Sequence, residues 1–140
     1  MHDKTALPRV TYSNIGVDFA PLHDFLDVEI PAFKAKLGAF HPNRIAGRAD
    51  ESGARFATAS PIDDRLTLGT FVSADAGAVD RAVAAARKAS EDWAHRDWRG
   101  RVEAIRNVAA AIDRRKFELG IACLLEVGKS RAEAMGEVEE

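Results

Sequence analysis

A chain of 140 residues with a formal net charge of −2, 46% hydrophobic and 30% charged residues, is long enough for one domain and has the composition neither of a disordered protein nor of a polyanion binder. Opposite charges are interspersed, so nucleic acid is not an expected partner. A single cysteine, Cys123, excludes an internal disulfide framework and a zinc site of several thiolates, and fits a reducing, cytoplasmic setting. The opening Met1-His2-Asp3-Lys4-Thr5 has no apolar run behind its charges, and no stretch approaches the ~20 apolar residues of a membrane span, so no membrane partner is expected.

Residues 1–18 show no clear periodicity. Leu22, Phe25, Leu26, Ile30, Phe33 and Leu37 then recur at steps of three and four and predict a helix, either kinked at Pro31 or split into two with Pro31 in the first turn of the second. From Gly38 to Phe71 the punctuation by Pro42, Gly47, Gly53 and Pro61 predicts short strands, with a hairpin of residues 55–60 and 66–72 linked by Ser60-Pro61-Ile62-Asp63-Asp64. Asp75 is placed to N-cap a helix over about 76–95, along which Val79, Val83, Ala86, Ser90 and Trp93 recur at steps of four, three, four and three.

The next helix is expected from Gly100-Arg101 to Val127, with one stripe of Ile105, Val108, Ile112, Leu119 and Cys123 and a second, opposite set of Phe117, Ile121, Leu124 and Leu125. Its second half is apolar nearly all round, which predicts burial among several neighbours and more protein around it. Gly128 is placed to end this helix in the left-handed conformation, and Ser130-Arg131-Ala132-Glu133 has the spacing of a capping box that opens a last short helix. That helix ends in Glu137, Glu139 and Glu140, where its dipole disfavours carboxylates, so the chain reads as cut inside a larger fold. Three regions result: an N-terminal helical leader over 1–42, short strands and a hairpin over 43–72, and a helical region over 73–140.

Candidate chemistry is sparse. Cys123 lies mid-helix on an apolar stripe with no adjacent His and reads as core rather than nucleophile. Gly128-Lys129-Ser130 resembles the end of a phosphate-binding loop, but position 123 would have to be glycine, so it reads as a helix terminus. His2, His23, His41 and His95 have no metal-ligand spacing. Asp63-Asp64 and Glu137, Glu139 and Glu140 read as solvated surface, and Trp93 and Trp98 as packing anchors. No catalytic, cofactor-binding or metal residue is assigned.

Taken together, Ser60-Pro61-Ile62-Asp63, Leu68-Gly69-Thr70-Phe71, the Val79 to Ala86 run, Trp93, Arg101-Val102-Glu103, Leu125-Glu126-Val127-Gly128-Lys129 and Glu133 to Val138 resemble, in order and spacing, the N-terminal region of the aldehyde dehydrogenase superfamily. The Ser-Pro-Ile-Asp and Glu-Val-Gly-Lys variants and the long leader look most like its 1-pyrroline-5-carboxylate (glutamate semialdehyde) dehydrogenase branch. The resemblance implies an α/β fold, of which this mainly helical stretch is a hairpin plus helices packed on a Rossmann-like domain that binds NAD or NADP. It makes residues 73–140 the helical part of that domain. It also implies a thiolate nucleophile and a glutamate base in segments beyond Glu140, so these 140 residues alone are expected to be inactive. The expected partners are the remainder of the dehydrogenase chain and further copies in a homo-oligomer. The alternative is a non-catalytic helical interaction module.

Overall fold

The computed structural model describes residues 7–14 and 17–140, the Tyr12 side chain excepted. His2 and the rest of the opening pentapeptide lie outside the described residues. The first helix, α1 (Ala20–Lys34), carries Pro21 in its first turn, where a missing N–H breaks no rung. Asp18 Oδ1 accepts the Ala20 N–H at 2.9 Å. Leu22, Phe25 and Leu26 are buried, as their spacing predicts. Pro31 sits inside this single helix rather than opening a second one. It falls in the last turn, where only the Asp27 carbonyl loses its intrahelical donor, and the Ala35 N–H still reaches the Pro31 carbonyl at 3.1 Å.

Five short strands follow: β1 (Phe40–His41), β2 (Asn43–Ile45), β3 (Arg48–Asp50), β4 (Arg55–Ser60) and β5 (Asp63–Val72). β2 and β3 pair antiparallel, with Arg44 opposite Ala49. Their link is Ala46-Gly47, with φ of 51° and 76°, the left-handed backbone that a two-residue hairpin requires. Alanine in that position hides the turn from a reading of the sequence, and Gly47 alone marks it. The predicted hairpin of β4 and β5 is present, but β5 begins at Asp63, because Pro61-Ile62 by themselves make the connection. The strand order is β1-β5-β4, with β1 parallel to β5 and Phe40 opposite Thr70.

The helices are α2 (Ala76–His95), α3 (Trp98–Arg114), α4 (Lys116–Val127) and α5 (Arg131–Glu139). The single helix expected from Gly100 to Val127 is therefore two. The break at Arg115 carries neither Gly nor Pro to announce it, and Arg115 uses its guanidinium to hold the Glu118 carboxylate at 2.8 and 2.9 Å. Gly128 ends α4 with φ 76° and ψ 27°, as expected. The capping box forms as its spacing predicts, the Ser130 N–H donating to Glu133 at 2.9 Å and the Glu133 N–H to Ser130 Oγ at 3.3 Å.

The chain forms two compact units, one of residues 1–37, 59–68 and 112–140, the other of residues 38–58 and 69–111. The first unit owns the main core: Val10, Leu22, Phe25, Leu26, Ile121, Leu124, Leu125, Ala134 and Met135, with Leu66 and Leu68 of β5 packed against it. Helices α1 and α5 and the hairpin tip of the same unit cover Ile121, Leu124 and Leu125 of α4, while Leu119 and Cys123 are half-buried and Val127 is exposed. Gly120 permits the approach of α5, since a Cβ there would stand 1.8 Å from Met135 Cε. Ser60, 2% exposed, donates its hydroxyl to the Leu125 carbonyl at 2.5 Å. That carbonyl belongs to the last turn of α4, where helix acceptors lack partners.

In the second unit Val72 and Ala78 are buried, and the Asn43 side chain donates to the Val72 carbonyl at 3.2 Å. Phe71 stacks on His41 at 5.3 Å and meets Phe56 at 5.9 Å, while the Arg55 guanidinium lies 3.9 Å over Phe40. The helix expected over 76–95 is present, and its periodic residues Val79, Val83 and Trp93 are exposed, with only Ala78 of this helix buried. Trp98 is 55% exposed under the Arg99 guanidinium, 4.4 Å away, and Trp93 is 42% exposed, so neither tryptophan is buried.

Two substitutions test the core. Gly120→Ala gains up to ~1 kcal/mol of helix propensity but overpacks Met135 by ~1–3 kcal/mol, so urea unfolding should show a net loss, and the same change in a Met135→Leu background should be neutral or stabilising. Ser60→Ala, which leaves a buried carbonyl unpaired, should lower stability by about 1–3 kcal/mol in the same assay.

Candidate functional site

The residues that invited a chemical reading are engaged in structure. Cys123 is half-buried on α4 against the core of the first unit. Lys129 pairs with Glu137, which raises the pKa of its ammonium, and Ser130 is held in the capping box. Gly128-Lys129-Ser130 is therefore a helix terminus in geometry as in spacing. The His41 ring lies on Phe71, and His95 Nδ1 is 2.8 Å from the Glu91 carbonyl. Among the described residues no group of three or more His, Cys, Asp or Glu is placed to hold a metal.

One carboxylate departs from the expected solvated surface. Glu139 is 13% exposed, 3.0 Å from Arg9 Nε and 3.5 Å from Lys116 Nζ. Those cations, and Lys129 beside Glu137, offset the unfavourable dipole at the end of α5. Asp63 is chelated by Arg65 at 2.9 and 3.1 Å, which lowers its pKa.

Helix N-termini, the usual anion sites, are occupied by this chain's own side chains. Asp18 serves α1, Asp75 accepts the Ala78 N–H of α2 at 2.7 Å, Asp97 accepts the Arg99 N–H of α3 at 3.1 Å, and Ser130 serves α5. Glu118 stands in the first turn of α4. At α1, α2, α3 and α5 a phosphate would compete with a side-chain acceptor already bonded to one of the amides.

What the second unit offers instead is surface. On α3, Trp98, Val102, Ile105 and Val108 follow one another at steps of four, three and three and are exposed, Ile105 by 61%. Ile112 continues the stripe into the first unit and is exposed as well. Trp98 and Val102 were not part of the stripe read from the sequence, although the same spacing carried back past Gly100 finds them. Several large apolar side chains at helical spacing, left in water, mark an interaction surface. In the same unit Arg81 of α2 bonds Asp50 of β3 at 2.7 Å and Ser52 Oγ at 2.9 Å. The Arg81 and Ser52 bonds pull the Asp50 carboxyl down to about 2.

Residues 48–140 match the aldehyde dehydrogenase family, and the chain belongs to that family. Among curated relatives, the N-succinylglutamate 5-semialdehyde dehydrogenase of Chromohalobacter salexigens is 37% identical over 89 residues, 64% of this chain and 18% of that protein. The 1-pyrroline-5-carboxylate dehydrogenase 2 of Bacillus subtilis is 30% identical over 104 residues, 74% of this chain and 20% of that protein. The chain thus spans about a fifth of the length of the curated relatives it matches. A 1-pyrroline-5-carboxylate dehydrogenase from Thermus with bound NAD shares the fold at a TM-score of 0.80 and 24% identity, over 94% of this chain and 24% of that one. Proline utilization A from Bdellovibrio bacteriovorus, at 27% identity and a TM-score of 0.80, is covered over 87% of this chain and 13% of that one. The expected α/β, mainly helical fold of an aldehyde dehydrogenase is the observed one.

The helix N-termini of this chain match a pyrophosphate poorly, since at α1, α2, α3 and α5 an amide at the helix start is already held by a side-chain oxygen.

Acid titration tests the α2–β3 ion pair. A carboxyl near 3.9 in the unfolded chain and about 2 when folded adds stability that is complete above the unfolded value and is lost as pH falls from about 4 through 2. The urea midpoint should drop across that window, and in Asp50→Asn the part of the drop due to this pair should vanish, leaving a lower, flatter profile.

Proposed function

We propose that these residues are the scaffold portion of an NAD(P)-dependent aldehyde dehydrogenase that oxidises glutamate semialdehyde, the open form of 1-pyrroline-5-carboxylate, to glutamate. The observation that carries the reading is the uncovered apolar side of α3, joined by Val79 and Val83 on α2. Burying each such side chain is worth roughly 1.5–3 kcal/mol, a strong tendency to associate. The remainder of the dehydrogenase chain is the partner that covers it, and the assembled enzyme works as a homo-oligomer in the reducing cytoplasm. The 1-pyrroline-5-carboxylate dehydrogenases among the similar proteins support the substrate, while the succinylglutamate semialdehyde relatives make the N-succinylated aldehyde the competitor to test beside it.

The 140 residues by themselves are inactive in this reading, because the one thiol is packed on α4 as part of the helical core rather than presented to a substrate. The second reading, a non-catalytic interaction module, draws on the self-sufficient core of the first unit.

The protein carrying this sequence in its source should have an intact mass several times 15.2 kDa and form NADH from 1-pyrroline-5-carboxylate, while the 140-residue chain should form none. NADH formation by the 140-residue chain refutes its inactivity, and a source protein of 15.2 kDa supports the module. Ile105→Asp should change the stability of the 140-residue chain by no more than about 0.5 kcal/mol. In the whole dehydrogenase it would bury an unpaired carboxylate at a cost of several kcal/mol, so activity should fall by about tenfold or more.

A further inference from the structure

The first unit contains a cleft of about 530 Å³ between the C-terminal half of α1 and the break between α3 and α4. Its size lies within the roughly 300–1,000 Å³ of small-molecule sites. Leu7, Phe33, Phe117 and Ile121 supply apolar wall, and charged side chains supply the rest.

Those charges are not equivalent. Arg115 is held by Glu118 in two bonds, and Arg9 and Lys116 share Asp113 and Glu139. Lys36 and Arg114 also line the cleft, are solvent-exposed, and enter no ion pair among the described residues. The wall carboxylate that likewise lacks an ion pair, Glu29, lies on α1, whereas Lys36 lies two residues beyond the end of that helix. Glu118 is held below the ordinary carboxyl range first by its Arg115 bonds and, to a smaller extent, by the charge of Lys36. A cleft walled by both apolar and charged side chains thus carries two cations, Lys36 and Arg114, outside its ion pairs, on a chain whose net charge is −2.

We propose that this cleft binds an amphiphilic carboxylate, with Lys36 and Arg114 holding the anionic head and Phe33 and Phe117 flanking its hydrocarbon body. A charge-assisted bond fixes the head, and the tail contributes in proportion to the methylenes it buries. This site is separate from the apolar side of α3 and does not depend on dehydrogenase activity.

The test uses the isotope-labelled 140-residue chain and sodium octanoate as probe, followed by NMR amide shifts. Saturable shifts confined to the cleft are expected, with hexanoate weaker by up to about fourfold per methylene removed and octan-1-ol weaker by about tenfold. Lys36→Gln and Arg114→Gln should each weaken octanoate by a similar factor. Octan-1-ol binding as tightly as octanoate would overturn the proposal without any variant. So would shifts that fail to saturate, shifts centred on Trp98 to Val108, or unchanged affinity in both variants.

Discussion

Helix α4 is apolar on both of its sides, and the first unit exists in the form that satisfies it. Such a helix needs neighbours on more than one face, and α1, α5 and the tip of the β4–β5 hairpin cover Ile121, Leu124 and Leu125. The closeness of α5 rests on one missing methyl group, at Gly120 under Met135. The end of α4 is fixed twice, by the left-handed Gly128 and by the Ser60 hydroxyl on the Leu125 carbonyl. Ser60 of Ser-Pro-Ile-Asp and Leu125, which directly precedes Glu-Val-Gly-Lys, stand 65 positions apart, and the two signatures thereby form one joint. Pro61, whose Cγ would lie 3.4 Å from a Cβ at position 128, completes it.

The charges follow the same economy. Carboxylates at the C-terminal end of α5 oppose its dipole, yet Arg9, Lys116 and Lys129 stand against them. In the second unit the Asp50–Arg81 pair performs the corresponding service between β3 and α2. Exposed pairs contribute little individually, so their importance lies in orienting elements rather than in total stability.

The family is evident in these 140 residues. Among the described residues, carboxylates and a hydroxyl cap helix N-termini, Cys123 is half-buried on a core helix and Lys129 is paired with Glu137. Two surfaces stand out: the exposed apolar side of α3 and the cleft beside α1 that Lys36 and Arg114 line.

Local chemistry made much of this legible in the sequence. Asp75, Gly128 and the Ser130–Glu133 box mark helix ends because capping is settled within four residues, and the β4–β5 hairpin is announced by Pro61. The family signature, being linear in order and spacing, was equally readable. The tertiary structure alone decided which apolar stripes are inside. The stripe of α3 and that of α4 look alike in periodicity, yet Ile105 is exposed and Ile121 buried. A sequence specifies that a face is apolar, whereas burial requires a second surface to meet it, and that depends on residues far away in the chain. The break at Arg115 was hidden because it holds no residue type that forces a local conformation, and the turn at Ala46-Gly47 was only half announced, by Gly47, with the left-handed Ala46 giving no signal.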